Sequence, residues 1–281
     1  MREISVNVIK DIIKDSCLSL SCVYPEDVYK SLVKGYEEEV DTNAKIAMNM
    51  LIDNAKIAKE ESIPICQDTG MVSVFLSVGQ EVHLVDGDVN EAINEGVRQG
   101  YEKYYLRKSI VNDPLFERKN TKDNTPVIIH TKIIPGDNII LDISTKGFGS
   151  ENMSSIKMCK PSDGVEGVKQ FIIDTIKTAG PNACPPIVVG VGIGGSFDYA
   201  PILSKKALLR PLDESNSDDR YKALEDELLI ETNNLNIGPL GLKGKTTALK
   251  IQIEHAPTHI AGLPVAISIC CHASRHLRKV I

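Results

Sequence analysis

The chain has 281 residues, 42% apolar and 25% charged, with a formal net charge of −6. That length supports a well-buried core, and an acidic balance without a Lys/Arg block speaks against general nucleic-acid binding, which needs a basic face to displace counterions. No stretch approaches the roughly 20 apolar residues that span a bilayer, and Lys10, Asp11, Lys14 and Asp15 interrupt the apolar pattern near the N-terminus. Neither a membrane helix nor a secretory signal is expected, which places the chain in a reducing cytoplasm.

Ile4, Val8, Ile9, Ile12 and Ile13 recur at helical spacing over residues 4–16. Pro25-Glu26-Asp27 opens a second helix, where proline and acids are favoured in the first turn. Asp41-Thr42-Asn43 starts a third, running through Ala44, Ala47, Met50, Leu51 and Ala55 to Lys59. The pattern changes at Pro64: residues 71–78 read as a strand and 81–85 as a short second one. Asp88 caps a helix through Ile93, Val97, Tyr101 and Tyr104. Residues 126–134 and 138–143, joined at Pro135-Gly136-Asp137, read as a β-hairpin. After the loop at 146–152 comes an amphipathic helix at 163–179, ended by Gly180 and Pro181. A buried strand at 187–192 leads through a glycine-rich turn to a helix at about 196–210. A polar loop at 213–219, a helix to about Asn233, and strands at about 246–254 and 264–270 follow. The expected fold class is mixed α and β: a helical N-terminal region followed by an α/β body with mixed or antiparallel sheets. One domain over 1–281 is expected, with a helical part at 1–60 and a body at 61–281; no repeat and no Pro/Ser linker divides it.

Two glycine-rich strings imitate nucleotide sites. Gly190-Val-Gly192-Ile-Gly194-Gly195 contains G-x-G-x-x-G between a strand and a helix. No second strand with a terminal acid follows, so a tight strand-to-helix turn is the better reading than a dinucleotide cradle. Gly238 to Thr246 resembles a Walker A loop, but Pro239 stands where its first glycine belongs, and a strand pattern follows where a P-loop opens a helix.

There are seven cysteines, at irregular spacing. An odd number in a chain read as not secreted argues against a disulfide framework. Cys17, Cys22 and Cys159 read as small buried apolar residues. Cys66, Cys184 and Cys271 sit at element boundaries, in Pro64-Ile-Cys-Gln-Asp-Thr-Gly70, Gly180-Pro-Asn-Ala-Cys-Pro-Pro186 and Ile269-Cys-Cys-His-Ala-Ser-Arg275. Rigid loops with free backbone N–H groups suit iron–sulfur thiolates, because hydrogen bonds to sulfur stabilise the cluster's negative charge. No C-x-x-C pair occurs, so neither a zinc ribbon nor a ferredoxin is indicated, and spacing alone leaves structural and metal roles both open.

PICQDTG, KGFGSEN, ACPP followed by VGIGGSFD, GPLGLKGKTTAL and the Cys271 segment occur in that order. Together they resemble the α subunit of the class I (iron–sulfur) fumarase and tartrate dehydratase family, from about Pro64 to the C-terminus, with weaker similarity before it. The resemblance implies a [4Fe–4S] cluster held by Cys66, Cys184 and Cys271, with one iron open to substrate. Cys271 is preferred to Cys270 because the family's cysteine precedes a small or aromatic residue, an alanine and a basic pair; His276 replaces the second basic residue. Gln67 would contact substrate, and Asp68 would do acid/base work, its alternative being an Asx-turn with Gly70. Arg107, in a string like the family's NLRYS, would bind a carboxylate, its alternative being an exposed helix-end arginine. Gly149 would offer a backbone N–H, with Phe148 replacing a glycine of the family's KGGGS. His259, twelve residues before Cys271, matches the family's active-site histidine and would pair with Asp68; His255 is its rival.

The family's other basic residues and a catalytic threonine lie in a second domain. A β subunit is therefore expected to complete the site, in a hetero-oligomer such as a dimer of α–β pairs. The implied reaction is reversible hydration of fumarate to (S)-malate, with L-tartrate dehydration as an alternative. A catalytically silent cluster-binding or regulatory protein is the alternative of another class. No nucleic-acid or membrane partner is expected.

Overall fold

A computed structural model describes residues 1–281. In chain order its elements are β1 (Arg2–Ser5), α1 (Val6–Cys22), α2 (Glu26–Glu38), α3 (Thr42–Glu61), β2 (Met71–Gly79), β3 (Val82–Val85), α4 (Val89–Lys103), β4 (Ile128–Ile134) and β5 (Ile139–Lys146). They continue as α5 (Phe148–Glu151), β6 (Ser155–Cys159), α6 (Gly164–Ala179), β7 (Ile187–Gly195), α7 (Tyr199–Ala207), α8 (Asp219–Asn234), β8 (Ala248–Thr258), β9 (Leu263–Cys270) and β10 (Arg275–Val280). The class is the expected mixture of helices and mixed sheets behind a mainly helical N-terminal region. No helix is long and apolar enough to cross a membrane. Contacts divide the chain into two compact units: Met1–Pro25, Ala55–Phe148 and Arg275–Ile281 form the first, Glu26–Asn54 and Gly149–Ser274 the second.

The first unit is built on a four-stranded sheet in the order β10-β5-β2-β4. Val72, Val74, Leu76 and Val78 alternate along β2 into the core, as strand periodicity requires. They meet Ile139, Leu141 and Ile143 of β5 and are covered by Ile9, Ile13 and Cys17 of α1 and by Ile93, Val97 and Tyr101 of α4. The expected hairpin is corrected here: β4 and β5 do not pair. β2 lies between them, parallel to β4 and antiparallel to β5. The connecting turn is bonded instead by the end of β2: Gly79 N donates to Asn138 O at 2.8 Å and Gln80 N to Ile134 O at 2.7 Å. Adjacency in sequence favours a hairpin, but the more apolar β2 is the strand that gains most from a central place.

Two further differences concern the ends of the chain. The N-terminal helix starts later than its periodicity suggests, because Arg2–Ser5 pairs in parallel with β3 and Ser5 then caps α1, its Oγ accepting from Asn7 N. β10 pairs antiparallel with β5 and was not legible, since Arg275, His276, Arg278 and Lys279 hide its strand character. Charges of that kind suit an edge strand.

The second unit carries a sheet in the order β6-β9-β7-β8. β7 is buried on both faces. Its Ile187, Val189, Val191 and Ile193 face Val168, Ile172 and Ile176 of α6 and Leu228 of α8. From Gly190 onward the alternate residues are glycines, and α7 lies directly across Gly190 and Gly192. A Cβ at Gly190 would stand 2.1 Å from Ser204 O, and one at Gly192 2.0 Å from Ala200 O. This accounts for the G-x-G-x-x-G string as close helix-to-strand packing. The five-residue edge strand β6, also not foreseen, pairs antiparallel with β9.

Candidate active site

In the first unit the loop Cys66–Gly70 joins α3 to β2 and is tied down by side chains. Tyr101, fully buried, directs its hydroxyl at Thr69 O (3.1 Å) and Gly70 O (2.9 Å). Burial pushes its phenol well above the ordinary range. Asn124 Nδ2 donates to Gly70 O at 3.2 Å while Asn124 Oδ1 accepts from Ser109 N. Thr69 Oγ1 donates to Arg107 O at 3.0 Å, which fastens the Arg107 backbone to the same loop and leaves the arginine side chain exposed. Cys66 and Asp68 are half-buried and Gln67 is exposed.

Asp68 does more than cap its own turn. Its Oδ1 accepts from Gly70 N at 3.0 Å, the Asx-turn, while Oδ2 accepts from Phe148 N at 2.9 Å. Phe148 lies just beyond the end of β5, and Met71 at the start of β2 pairs with Lys146 at that end. Thus PICQDTG and the start of KGFGSEN meet at one end of the first sheet.

The second unit repeats the arrangement with different side chains. Cys184 precedes β7 and Cys271 follows β9; these strands are antiparallel neighbours, with Val188 opposite Cys270. Both cysteines therefore stand at the same sheet end, where His272 N donates to Cys184 O at 3.3 Å. Cys184 is exposed and has φ +52°, a left-handed conformation that few side chains adopt. GPLGLKGKTTAL packs there too: Leu240 N donates to Pro185 O at 2.7 Å. The buried carboxylate of Glu39 takes the N–H groups of Lys245 (2.9 Å) and Thr246 (3.2 Å). Gly149 is exposed, with nothing within 4 Å of where its Cβ would lie.

His259 is not brought to that end. It is exposed in the turn between β8 and β9, its Nδ1 accepting from Ala261 N at 3.2 Å. The eight residues of β9 separate it from Cys271, roughly 25 Å at the rise of a strand. His255 is stacked on Tyr221 with ring centroids 4.1 Å apart.

None of the seven cysteines is in a disulfide, and their surroundings divide them. Cys17, Cys22, Cys159 and Cys270 are buried; Cys66, Cys184 and Cys271 are not. Burial pushes the Cys17 thiol up to about 12 and raises Cys22 and Cys159 as well. Cys270 and Cys271 point to opposite sides of the backbone, which removes Cys270 into the sheet's core and leaves Cys271 accessible. Within neither unit are three His, Cys, Asp or Glu side chains gathered into a metal-binding group.

Tyr101, Asn124, Glu39 and Arg275 were missed from sequence. Each acts through loop backbone, for which no residue spacing gives a signal; only the basic character of Arg275 within its motif pointed to it.

Residues 10–280 match the family model described as Fumarate hydratase (Fumerase). A protein of Methanocaldococcus jannaschii, provisionally named L(+)-tartrate dehydratase subunit alpha, is 43% identical over 284 residues, covering 97% of each chain. Proteins named L(+)-tartrate dehydratase subunit alpha from Escherichia coli strain K12 and Shigella boydii are each 33% identical over 273 residues, covering 96% of this chain and 90% of theirs. The chain belongs to the fumarate hydratase (fumerase) family, and its similarity to alpha subunits runs along nearly its whole length.

Proposed function

We propose that this chain is the cluster-binding alpha subunit of a hydro-lyase acting on a four-carbon dicarboxylate, with Cys66, Cys184 and Cys271 as ligands of a [4Fe–4S] cluster. One observation carries the cofactor reading. The three cysteines that the resemblance names as ligands are the three that are not buried, and each stands at the motif-bearing end of its own sheet. Three accessible thiols fit a cluster that keeps one iron free of protein ligands. When bound, such a cluster supplies Lewis-acid polarisation of the departing hydroxyl.

The chain's own residues supply the rest. Asp68, its oxygens fixed by the Gly70 and Phe148 amides, exchanges a proton at the departing hydroxyl. Gln67 and Arg107, both exposed at that loop, orient a carboxylate, and the exposed Gly149 offers its backbone amide. His259 takes the family's histidine role from a neighbouring copy of the chain, since its own sheet separates it from Cys271. A beta subunit completes the site, as the alpha-subunit names of the relatives imply for those proteins. Seven cysteines outside any disulfide suit a reducing cytoplasm.

Reversible hydration of fumarate to (S)-malate is the first substrate reading. L-tartrate dehydration is the second, favoured by the names of the relatives. The test is anaerobic reconstitution of the chain with iron and sulfide, assembly with its beta partner, and assay on both substrates. Water addition to fumarate or loss from tartrate is the expected result. A cluster-loaded assembly that turns over neither contradicts the hydro-lyase reading.

A further inference from the structure

Arg275 opens β10 opposite Thr145, at the end of β5. Its side chain is buried, with the residue only 2% exposed. One donor is used: Nη2 donates to Asp68 O at 3.1 Å. Nε and Nη1 are buried without a partner, and the guanidinium forms no ion pair. A buried cation with idle donors is costly, and a fold retains one only where it obtains something in exchange.

What it obtains is visible at Gly147. A Cβ there would stand 3.1 Å from Asp68 Oδ2 and 3.8 Å from Arg275 Nη2. The carboxylate and the guanidinium therefore flank the space that the missing side chain leaves. Two amides hold the Asp68 carboxylate oxygens, and Arg275 holds its main-chain carbonyl.

We propose that Arg275 is a positioning residue for Asp68: it locks the backbone of the Cys66–Gly70 loop so that the carboxylate presents one orientation to substrate. The proposal rests on the hydro-lyase reading above. It goes beyond the ligand set and assigns a task to a buried arginine that touches no substrate.

The test uses the cluster-loaded alpha–beta assembly. Arg275→Gln is expected to lower kcat by about 10–100-fold, the scale on which a misplacement of about 1 Å acts. KM should move by less than about 3-fold and iron content should not change, with Arg275→Lys recovering part of the loss. The Gly70 and Phe148 amides should exchange hydrogen faster in Arg275→Gln. A kcat loss that merely tracks iron content, or no loss at all, overturns the proposal. Should Arg275→Gln fail to fold, Gly147→Ala decides: it wedges a methyl group between the two charged groups, and an unchanged kcat overturns the proposal. If the unaltered assembly turns over neither substrate, the hydro-lyase reading fails and amide exchange alone decides. Faster exchange in Arg275→Gln then supports the clamp, and unchanged exchange refutes it.

Discussion

In the first unit, β2 is flanked by parallel β4 and antiparallel β5, with β10 outside β5; in the second, β7 is flanked by parallel β8 and antiparallel β9, with β6 outside β9. The strand order and directions are the same although no repeat is visible in the sequence. Each central strand is preceded by a loop holding a cysteine, Cys66 or Cys184. The end of each antiparallel neighbour brings a second motif beside it, Gly147-Phe148 or Cys271. The difference lies in what the loops carry. The first unit offers one thiol with an acid, an amide and a glutamine; the second offers two thiols and no acid. In the proposed reading, one framework would serve proton chemistry beside a single cluster ligand in the first case and supply two ligands in the second.

That division can be broken most sharply at Asp68. Asp68→Asn keeps the size of the side chain and removes its acid/base capacity. We expect kcat to fall by about 10²–10⁴-fold, with iron content unchanged. A loss of iron in proportion would make Asp68 part of the cofactor's support instead. A second test concerns His259. Chains carrying Cys271→Ser and chains carrying His259→Asn should each be inactive alone, yet recover measurable activity when co-assembled, because one copy completes the other. Activity that never exceeds that of either parent contradicts action from a neighbouring copy.

The tethering of the first unit's loop predicts a more modest loss. Tyr101→Phe leaves Thr69 O without its hydroxyl donor in a buried setting, and should cost about 1–3 kcal/mol in denaturant unfolding. An unchanged midpoint would show that the loop holds itself. The smallest expected effect is on acid stability. For Asp123 burial alone would raise the pKa, but hydrogen bonds from Thr125 N and Oγ1 and from Arg98 outweigh it and hold the carboxyl at about 2. A folded pKa below the unfolded value of about 3.9 gives stability that is present above pH 4 and lost as pH falls toward 2. Asp123→Asn should therefore be less stable than the unaltered chain at pH 6, and the gap should close near pH 2–3. A gap that stays constant across that range contradicts the assignment.

Much of this was legible in the sequence, and what was not has a physical reason. Helix boundaries follow from caps and periodicity that act locally, as at Asp88, whose side chain accepts from Glu91 N. Pairing partners are non-local. The pattern of 126–143 describes two strands joined by a turn, and nothing within it says that β2 enters between them. β10 was hidden because an edge strand need not be apolar. At the site, the cysteines were singled out through the strings around them; of the adjacent pair, Cys270 is buried and Cys271 half-buried, a difference that no spacing in the sequence announces. Arg275 and Gly147 were invisible as a pair, since 128 positions separate them and only the closing β10–β5 register puts them side by side.

The most direct test returns to the three accessible thiols. Iron and sulfide should be measured after anaerobic reconstitution of the unaltered chain and of Cys66→Ser, Cys184→Ser, Cys271→Ser and Cys270→Ser, each assembled with the beta partner. The account predicts about four iron and four sulfide per alpha chain in the unaltered protein. It predicts the same in Cys270→Ser, and loss of the intact cluster in each of the other three. A full cluster retained without Cys66, Cys184 or Cys271, or its loss on replacing Cys270, would contradict the ligand set.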